Sequence, residues 1–253
     1  MLRSTTVRLA ATKQLSAHAE HYHRAEVTAT TRREELKELL MAARQCTRCS
    51  ELAATRTTVV FGAGKADAEL MFVGEAPGAN EDLQGLPFVG AAGKLLEQLL
   101  GDIGLSRSEV FIANVLKCRP PGNRDPQPGE IENCKPYLVR QIELIEPRVI
   151  CTLGNFATKL LRADPAGITR VHGQPEVRTI GAHTFRLYPL FHPAAALYTP
   201  STLETLRADC ARLPTILALP PAAPLPPTPA IEIVVAAGPL EPVEAHVEQL
   251  GLF

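Results

Sequence analysis

The sequence lacks the features of a membrane or exported protein. It has no run of apolar residues approaching the roughly 18 that a membrane-spanning helix needs. The N-terminal region contains no apolar core of the kind found in secretory signals. A formal net charge of −1 argues against a protein held on nucleic acid by overall charge alone, although it is compatible with local phosphate contacts. We therefore expect a cytoplasmic protein without a membrane partner.

Both ends of the chain differ in composition from the body. Residues 1–32 are rich in Thr, Ala, His and Arg, which is typical of a transit peptide or of a flexible extension, and we favour the extension. Nine of the 22 prolines lie between Pro214 and Pro242. Because such a proline content cannot maintain a regular helix or a central strand, residues 218–248 are interpreted as an extended linker. Without residues 218–253 the body has 26 basic and 23 acidic residues.

Between residues 33 and 217, short apolar runs alternate with amphipathic segments of helical length. The predicted strands are 69–74, 110–116, 148–153 and 183–190. The predicted helices are 33–44, 91–100, 130–145, 156–161 and 203–213. This alternation predicts a parallel sheet with helices on both faces, in which ligands bind beyond the carboxyl ends of the strands. Segments 74–90, 114–128 and 191–196 follow predicted strands, so we expect them to meet at one edge.

Four of the six cysteines are candidates for a metal site. Cys46 and Cys49 form a C-x-x-C, whereas Cys118 and Cys134 occur singly. Disulfides are disfavoured in a chain without an export signal. A structural zinc site usually has two close pairs of ligands, whereas thiolates from separate loops suit a [4Fe–4S] cube. Spacing alone leaves three alternatives open: zinc, an iron–sulfur cluster and four unrelated cysteines. The two cysteines expected to be small buried hydrophobic residues are Cys151 and Cys210.

Three motifs carry a more specific signal. The first is GEAPGANEDLQGLPFVGAAGKLL from residue 74, the second is NVLKCRPPGNRDPQPGEIENC from residue 114, and the third is FHPAAAL from residue 191. A glycine-rich loop lets backbone N–H groups approach an anion or a base, but many nucleotide-binding loops share that property. In this order, with the four cysteines around them, the motifs resemble the family 4 uracil-DNA glycosylases over residues 33–213.

The resemblance implies a fold, a cofactor and a reaction. The implied fold is α/β, the three-layer α/β/α arrangement of the uracil-DNA glycosylase superfamily around a central parallel sheet, here with flexible N- and C-terminal extensions. The implied cofactor is a [4Fe–4S] cluster held by Cys46, Cys49, Cys118 and Cys134. The implied reaction is hydrolysis of the N-glycosidic bond of deoxyuridine in DNA. It releases uracil and leaves an abasic site.

The resemblance also implies two catalytic residues. The nucleotide must be flipped out of the duplex, after which uracil leaves as an anion while positive charge develops on the sugar. Glu75 would orient the water and stabilise the cationic sugar, although an acid at a helix N-terminus is an alternative interpretation. His192 would donate a hydrogen bond to the uracil oxygen as it becomes anionic. Ala76 stands where another family of the superfamily has Asp, which leaves the acid's task to Glu75.

The remaining predicted site residues would bind the base or the DNA. Phe88 would stack on uracil, although an isolated Phe is more often in a core. Asn114 would pair with the uracil edge and reject cytosine, although an Asn closing a strand-end turn is the alternative. Two further family positions near the pocket are Glu81 and Asn123. Basic residues that either contact phosphates or are simply solvated are Lys117, Arg119 and Arg124. A relative within the superfamily that traps itself covalently on the sugar has a reactive histidine in a loop inserted after the second motif. Here residues 120–126 contain no histidine, so we expect ordinary turnover.

The chain ends in a short apolar peptide. Residues 249–253, QLGLF, resemble the Q-L-x-L-F pentapeptide by which bacterial repair and replication proteins bind the sliding clamp. Leu250, Leu252 and Phe253 would fill a pocket, and Gln249 would make a directional hydrogen bond. The proline-rich linker, about thirty residues long, would raise the effective concentration of the enzyme beside the clamp. The alternative is a tail whose apolar end folds back on the body.

Two functions from different classes compete. The first is a glycosylase acting as a monomer on single- or double-stranded uracil-containing DNA at the nucleoid. The second is a non-catalytic iron–sulfur protein that binds DNA or the replisome. Because binding alone does not require Glu75, Asn114 and His192 together, we predict the enzyme.

Overall fold

The computed structural model describes residues 31–223, in which six strands form one mixed sheet. In chain order the strands are β1 (Ala63–Gly64), β2 (Leu70–Gly74), β3 (Phe111–Asn114), β4 (Val149–Leu153), β5 (Glu176–Ile180) and β6 (His183–Leu190). Across the sheet the order is β1-β3-β2-β4-β6-β5. The four inner strands are parallel, as predicted, whereas β1 and β5 pair antiparallel at the two edges and were not predicted.

The predicted helices are found close to their expected ends, with several short helices between them. In the described range they are α1 (31–44), α2 (Ser50–Thr55), α3 (Ala79–Gln84), α4 (Ala91–Asp102), α5 (Pro128–Ile145), α6 (Asn155–Arg162), α7 (Ile168–Val171), α8 (Pro193–Ala196), α9 (Pro200–Ala211) and α10 (Leu213–Ala218). The predicted closing helix corresponds to α9, and a further short helix, α10, follows it after Arg212. None of the helices in residues 31–223 is long and apolar enough to cross a membrane.

The sheet is covered on both faces, which confirms the expected three layers. Met71 and Val73 of β2 pack into one core with apolar residues of α1, α2, α5 and α6. Leu70 and Phe72 of the same strand pack into the other core with residues of α4, α8, α9 and α10. Because every residue of β2 is buried, the strand is a continuous apolar run rather than an alternating one.

The start of α5 is fixed by local chemistry and positions part of the site. Gln127 caps the helix, and the Glu130 carboxylate accepts a hydrogen bond from the Gln127 N–H at 2.8 Å, forming a capping box. Pro128 occupies the first helical position, where its missing N–H costs no hydrogen bond. One turn further along, Cys134 is held on the buried face of the helix.

Several predictions on the chain ends lie outside the described residues. These are the N-terminal extension except for its last two positions, the linker beyond residue 223, and the four anchors of the terminal peptide, Gln249, Leu250, Leu252 and Phe253. They stay predictions.

Candidate active site

A cavity lies at the carboxyl ends of β2, β3 and β6. Segments 74–90, 114–128 and 191–196 all contribute to its lining, as expected for loops that follow parallel strands. Every residue predicted to act in catalysis or base binding lines it: Glu75, Ala76, Glu81, Phe88, Asn114, Asn123 and His192. The fold thus brings together side chains that are more than a hundred residues apart in sequence.

Glu75 directly follows β2 and is partly buried in the cavity wall. Its main-chain carbonyl accepts a hydrogen bond from the Leu116 N–H at 3.0 Å, which ties it to the end of β3. Burial, together with the negative charge of Asp125, raises the pKa of the Glu75 carboxyl to about 6. The acids in the first turn of α3 are Glu81 and Asp82, so Glu75 is not a helix N-terminal acid.

His192 is held with one ring nitrogen turned towards its own backbone. Its Nδ1 accepts a hydrogen bond from the Ala194 N–H at 3.1 Å, at the start of α8. Burial lowers the pKa of His192 to about 4, although the Glu81 carboxylate acts in the opposite direction. The imidazole is therefore neutral near pH 7, and with Nδ1 acting as acceptor its proton is assigned to Nε2. His192 thus offers one N–H donor.

Phe88 forms an aromatic wall against His192. The two rings stack with their centroids 5.6 Å apart and an angle of 28° between their planes. Gly74 makes room for this wall, because a Cβ on Gly74 would lie 2.7 Å from the Phe88 ring and 2.4 Å from Asn114 Oδ1. A side chain at position 74 would therefore fill the space between the ring and the amide.

Asn114 presents a buried acceptor without a protein partner. The residue is 2% exposed, and its Oδ1 has no hydrogen-bond partner among the described residues. An unsatisfied buried polar atom costs about 1–3 kcal/mol, so such an atom in a cavity wall indicates a ligand that donates to it. The side-chain oxygen does not close a strand-end turn, and the alternative interpretation of Asn114 fails on that point.

Glu81 and Asn123 line the cavity but are already engaged with the protein. Glu81 Oε1 accepts hydrogen bonds from the N–H groups of Val89 and Gly90, both at 2.8 Å. Asn123 Oδ1 accepts one from Arg119 Nε at 2.7 Å. Their contacts position the loops around the cavity.

The structure contradicts both predictions for Lys117, a phosphate contact and a solvated charge. Lys117 is 1% exposed, and its Nζ donates to the Asn114 main-chain oxygen at 2.8 Å and to Gln141 Oε1 at 2.6 Å. Arg124 lines the cavity but also pairs with Glu130 and Glu51, at 2.7 and 2.8 Å. It therefore ties the cavity loop to α5 and α2.

The four predicted metal ligands border a second cavity, beside α2 and α5. Its lining includes Cys46, Cys49, Cys118 and Cys134. N–H groups point at three of their sulfurs: Asn133 Nδ2 at 3.6 Å from Cys49, Arg56 Nη1 at 3.2 Å from Cys118, and the Lys117 N–H at 3.2 Å from Cys134. All six cysteines are free, and Cys151 and Cys210 are buried as predicted. Within residues 31–223 no group of three or more His, Cys, Asp or Glu side chains is arranged to hold a metal ion.

Residues missed by the sequence analysis act through the backbone or through charge. Arg107 donates to two carbonyls of the Phe88 loop, and Asp125 acts on Glu75 through its charge. Arg107 lies outside the three motifs, and Asp125 lies within the second, where its position does not show that its charge acts on Glu75.

Comparison with known proteins identifies the family. The sequence model of the uracil DNA glycosylase superfamily matches residues 61–213. Two type-4 uracil-DNA glycosylases, from Sulfurisphaera tokodaii and Archaeoglobus fulgidus, are each 48% identical over 181 residues, which is 70% of this chain and 80% and 90% of theirs. A third, from Thermotoga maritima, is 44% identical over 167 residues, 65% of this chain and 85% of its own. The chain belongs to the type-4 uracil-DNA glycosylases of this superfamily.

Proposed function

We propose that this chain hydrolyses the N-glycosidic bond of deoxyuridine in DNA, releasing uracil and leaving an abasic site. The observation that carries the proposal is the unpartnered Oδ1 of Asn114, buried in the wall of a cavity that also contains Phe88 and His192. Uracil carries an N3–H donor that can satisfy this acceptor, between two acceptor oxygens. Cytosine has an acceptor at the same ring position, so the amide would repel it.

The base would be held between an aromatic face and polar groups. A uracil flipped into the cavity would stack on Phe88, because every base offers a π-face. With Asn114 on the base edge, His192 in the wall of the same cavity would offer Nε2–H to a carbonyl oxygen of the base. A neutral donor suits this position. The hydrogen bond from Nε2–H becomes stronger as negative charge develops on the oxygen, and the imidazole keeps its proton.

Glu75 would supply the negative charge that the sugar requires. As the glycosidic bond breaks, positive charge builds on the deoxyribose, and a carboxylate at the cavity wall stabilises it and orients the attacking water. The carboxylate must be ionised for both tasks. With a pKa of about 6, Glu75 is mainly ionised at neutral pH and becomes protonated below that value.

The four cysteines bordering the second cavity would hold a [4Fe–4S] cluster. All four are free thiols, drawn from three segments of the chain, and N–H donors point at three of the sulfurs, as thiolate ligands favour. Although the described residues hold no group arranged around a single metal ion, a four-iron cube takes one cysteine at each corner and suits thiols spread around a cavity. When bound, the cluster would supply structural cross-linking of α2, the loop after β3 and α5. Arg124 extends this cross-link to the active-site cavity through Glu51 and Glu130.

The function is tested with a labelled oligonucleotide containing one deoxyuridine, incubated with purified protein and then with alkali. Alkali cuts only where a base has been lost. We expect cleavage at the uracil, none with a matched thymine strand, and no need for added metal. A protein with an intact cluster that binds the oligonucleotide without cleaving it would support the non-catalytic iron–sulfur protein instead.

The pH dependence provides a second test. We expect kcat/KM to fall below about pH 6, reaching about a tenth of its maximum at pH 5, because protonation of Glu75 removes the required carboxylate. Asp125→Asn removes the neighbouring negative charge, which lowers the pKa of Glu75 and moves the acid limb to lower pH. The control is Asp67→Asn, which removes an exposed carboxylate paired with Lys65. An acid limb that Asp125→Asn leaves in place would show that another group controls it.

The finer proposal on partners concerns the C-terminal peptide, which lies outside the described residues. In this proposal Gln249, Leu250, Leu252 and Phe253 bind the sliding clamp, and a monomeric enzyme acts beside the clamp on the DNA of the nucleoid. Deleting residues 249–253 should abolish clamp pull-down without changing thermal stability or activity on short oligonucleotides. If the deletion instead lowers thermal stability and leaves clamp binding unchanged, the peptide folds back on the body.

A further inference from the structure

The loop that carries Phe88 has an unusual backbone. Phe88 has a φ of 53°, in the left-handed region that a bulky side chain rarely adopts. The residue is nevertheless 7% exposed, and its ring lies against His192. A backbone of this kind persists only where the surrounding structure holds it, and such positions cluster at functional sites.

Two charged side chains hold this loop through its backbone. Arg107, from the segment between α4 and β3, donates from Nη1 to the Phe88 carbonyl at 2.8 Å and from Nη2 to the Pro87 carbonyl. Glu81 accepts from the next two N–H groups along the chain, those of Val89 and Gly90. Four consecutive residues thus have their carbonyls or amides bound by charge-assisted hydrogen bonds.

The start of α4 closes the third side of the loop. A Cβ on Gly93 would lie 1.9 Å from the Phe88 carbonyl oxygen, so the helix backbone packs directly against the loop. Arg107 itself does not line the cavity, so its role is not that of a contact to the base. Its guanidinium is partly buried, and the contacts it makes there are to the loop carbonyls.

We propose that Arg107 is a positioning residue for base recognition, which holds the Phe88 loop in its left-handed conformation so that the ring faces His192 before the base enters. The inference rests on the proposed function, in which Phe88 stacks on uracil. If the Phe88 ring is already in place, no entropy is lost in ordering the loop when the base binds. The full stacking energy then contributes to the affinity for the base. Losing Arg107 would release the loop and weaken the stack.

The expected kinetic effect is on binding. Stacking acts on the bound base in the ground state and the transition state alike, so Arg107→Gln should raise KM about tenfold with a smaller change in kcat. Inhibition by free uracil should weaken by a similar factor. Arg107→Lys should recover only part of the affinity that Arg107→Gln loses, because a single ammonium cannot bind both carbonyls as the planar guanidinium does.

A double-mutant cycle shows whether Arg107 acts through Phe88. We expect Phe88→Ala to weaken uracil inhibition, and the double variant to behave like Phe88→Ala alone. The matched control is Arg148→Gln, which removes another arginine donating to a main-chain carbonyl, that of Leu219 at 2.6 Å, near the start of β4. It should leave KM and uracil inhibition unchanged. Equal losses from Arg107→Gln in the presence and absence of Phe88 would overturn the proposal.

A readout independent of activity separates this inference from the proposed function. The chain contains no tryptophan, so Phe88→Trp introduces a single tryptophan into the loop, which can be excited apart from the four tyrosines. Acrylamide quenching of this tryptophan should increase when Arg107→Gln or Arg107→Lys is added, and should not change with Arg148→Gln. Unchanged quenching in both Arg107 variants would refute the positioning role. A wild-type protein inactive on deoxyuridine would refute the function, whatever the quenching shows.

Discussion

Glu75→Gln is expected to lower kcat on a deoxyuridine oligonucleotide about 1,000-fold while DNA affinity remains within a factor of two or so of wild type. Glutamine keeps the size and hydrogen-bonding capacity of the side chain but removes its charge. The charge acts mainly in the transition state, when the sugar becomes cationic. The loss should therefore appear in kcat and in kcat/KM equally, with little change in KM.

The measurement is single-turnover cleavage combined with binding to an uncleavable strand. Glu69→Gln is the matched control, because Glu69 immediately precedes β2 as Glu75 immediately follows it. Glu69 makes an exposed ion pair with Arg148 at the opposite end of the sheet. This control should leave kcat unchanged, since Glu69 lies away from the cavity. It should also change stability little, since an exposed ion pair contributes at most about 1 kcal/mol. A Glu75→Gln enzyme with kcat within tenfold of wild type would remove Glu75 from the proposed mechanism.

Cys134→Ala is expected to have the largest effect on stability. Cys134 is the most buried of the four proposed ligands, and it lies on α5, which packs against the sheet. Because binding of the metal group contributes to folding, we expect the free energy of unfolding to fall by about 4 kcal/mol or more. The iron–sulfur absorbance and the bound iron should be lost as well. Iron analysis, the absorption spectrum and thermal unfolding measure this.

Cys210→Ala is the matched control, since Cys210 is equally buried, in α9 on the other face of the sheet. It removes the same atom from a core and should cost about 1 kcal/mol, with the iron content unchanged. Equal effects of the two substitutions, or a colourless wild-type protein with stoichiometric zinc, would contradict the proposed iron–sulfur ligand set.

The central strands could be predicted because of where they lie. β2 and β4 are buried along their whole length, so β2 is a continuous apolar run and β4 is apolar except for Thr152. The edge strands lack that signal. β1 has only two residues, and β5 is half-exposed along most of its length, so its charged and β-branched residues form no continuous apolar run. Pairing with β3 and β6 makes them strands, and pairing is a property of the folded chain.

The same division applies to the site. Glu75, Asn114 and His192 could be predicted by their sequence motifs, because each follows an inner parallel strand and such ends converge. The protonation state of His192 depends on the Ala194 N–H and on burial, and only the tertiary structure determines these. Lys117 was wrongly predicted to contact phosphate or to be solvated, because its partners, the Asn114 carbonyl and Gln141, come together only when α5 packs on the sheet.

The sequence by itself determined the α/β pattern, the family and the side chains that meet at the active-site cavity, because these depend on residue types at fixed spacings along the chain. Only the tertiary structure decided the left-handed backbone of Phe88, the hydrogen bonds from Arg107 to the loop carbonyls and the charge of Asp125 acting on Glu75. The physical reason is that residue types along the chain do not show which donor a backbone carbonyl will bind or which distant charge will lie near a given side chain. A main-chain oxygen is the same in every residue, so its partner becomes known only when the chain has folded.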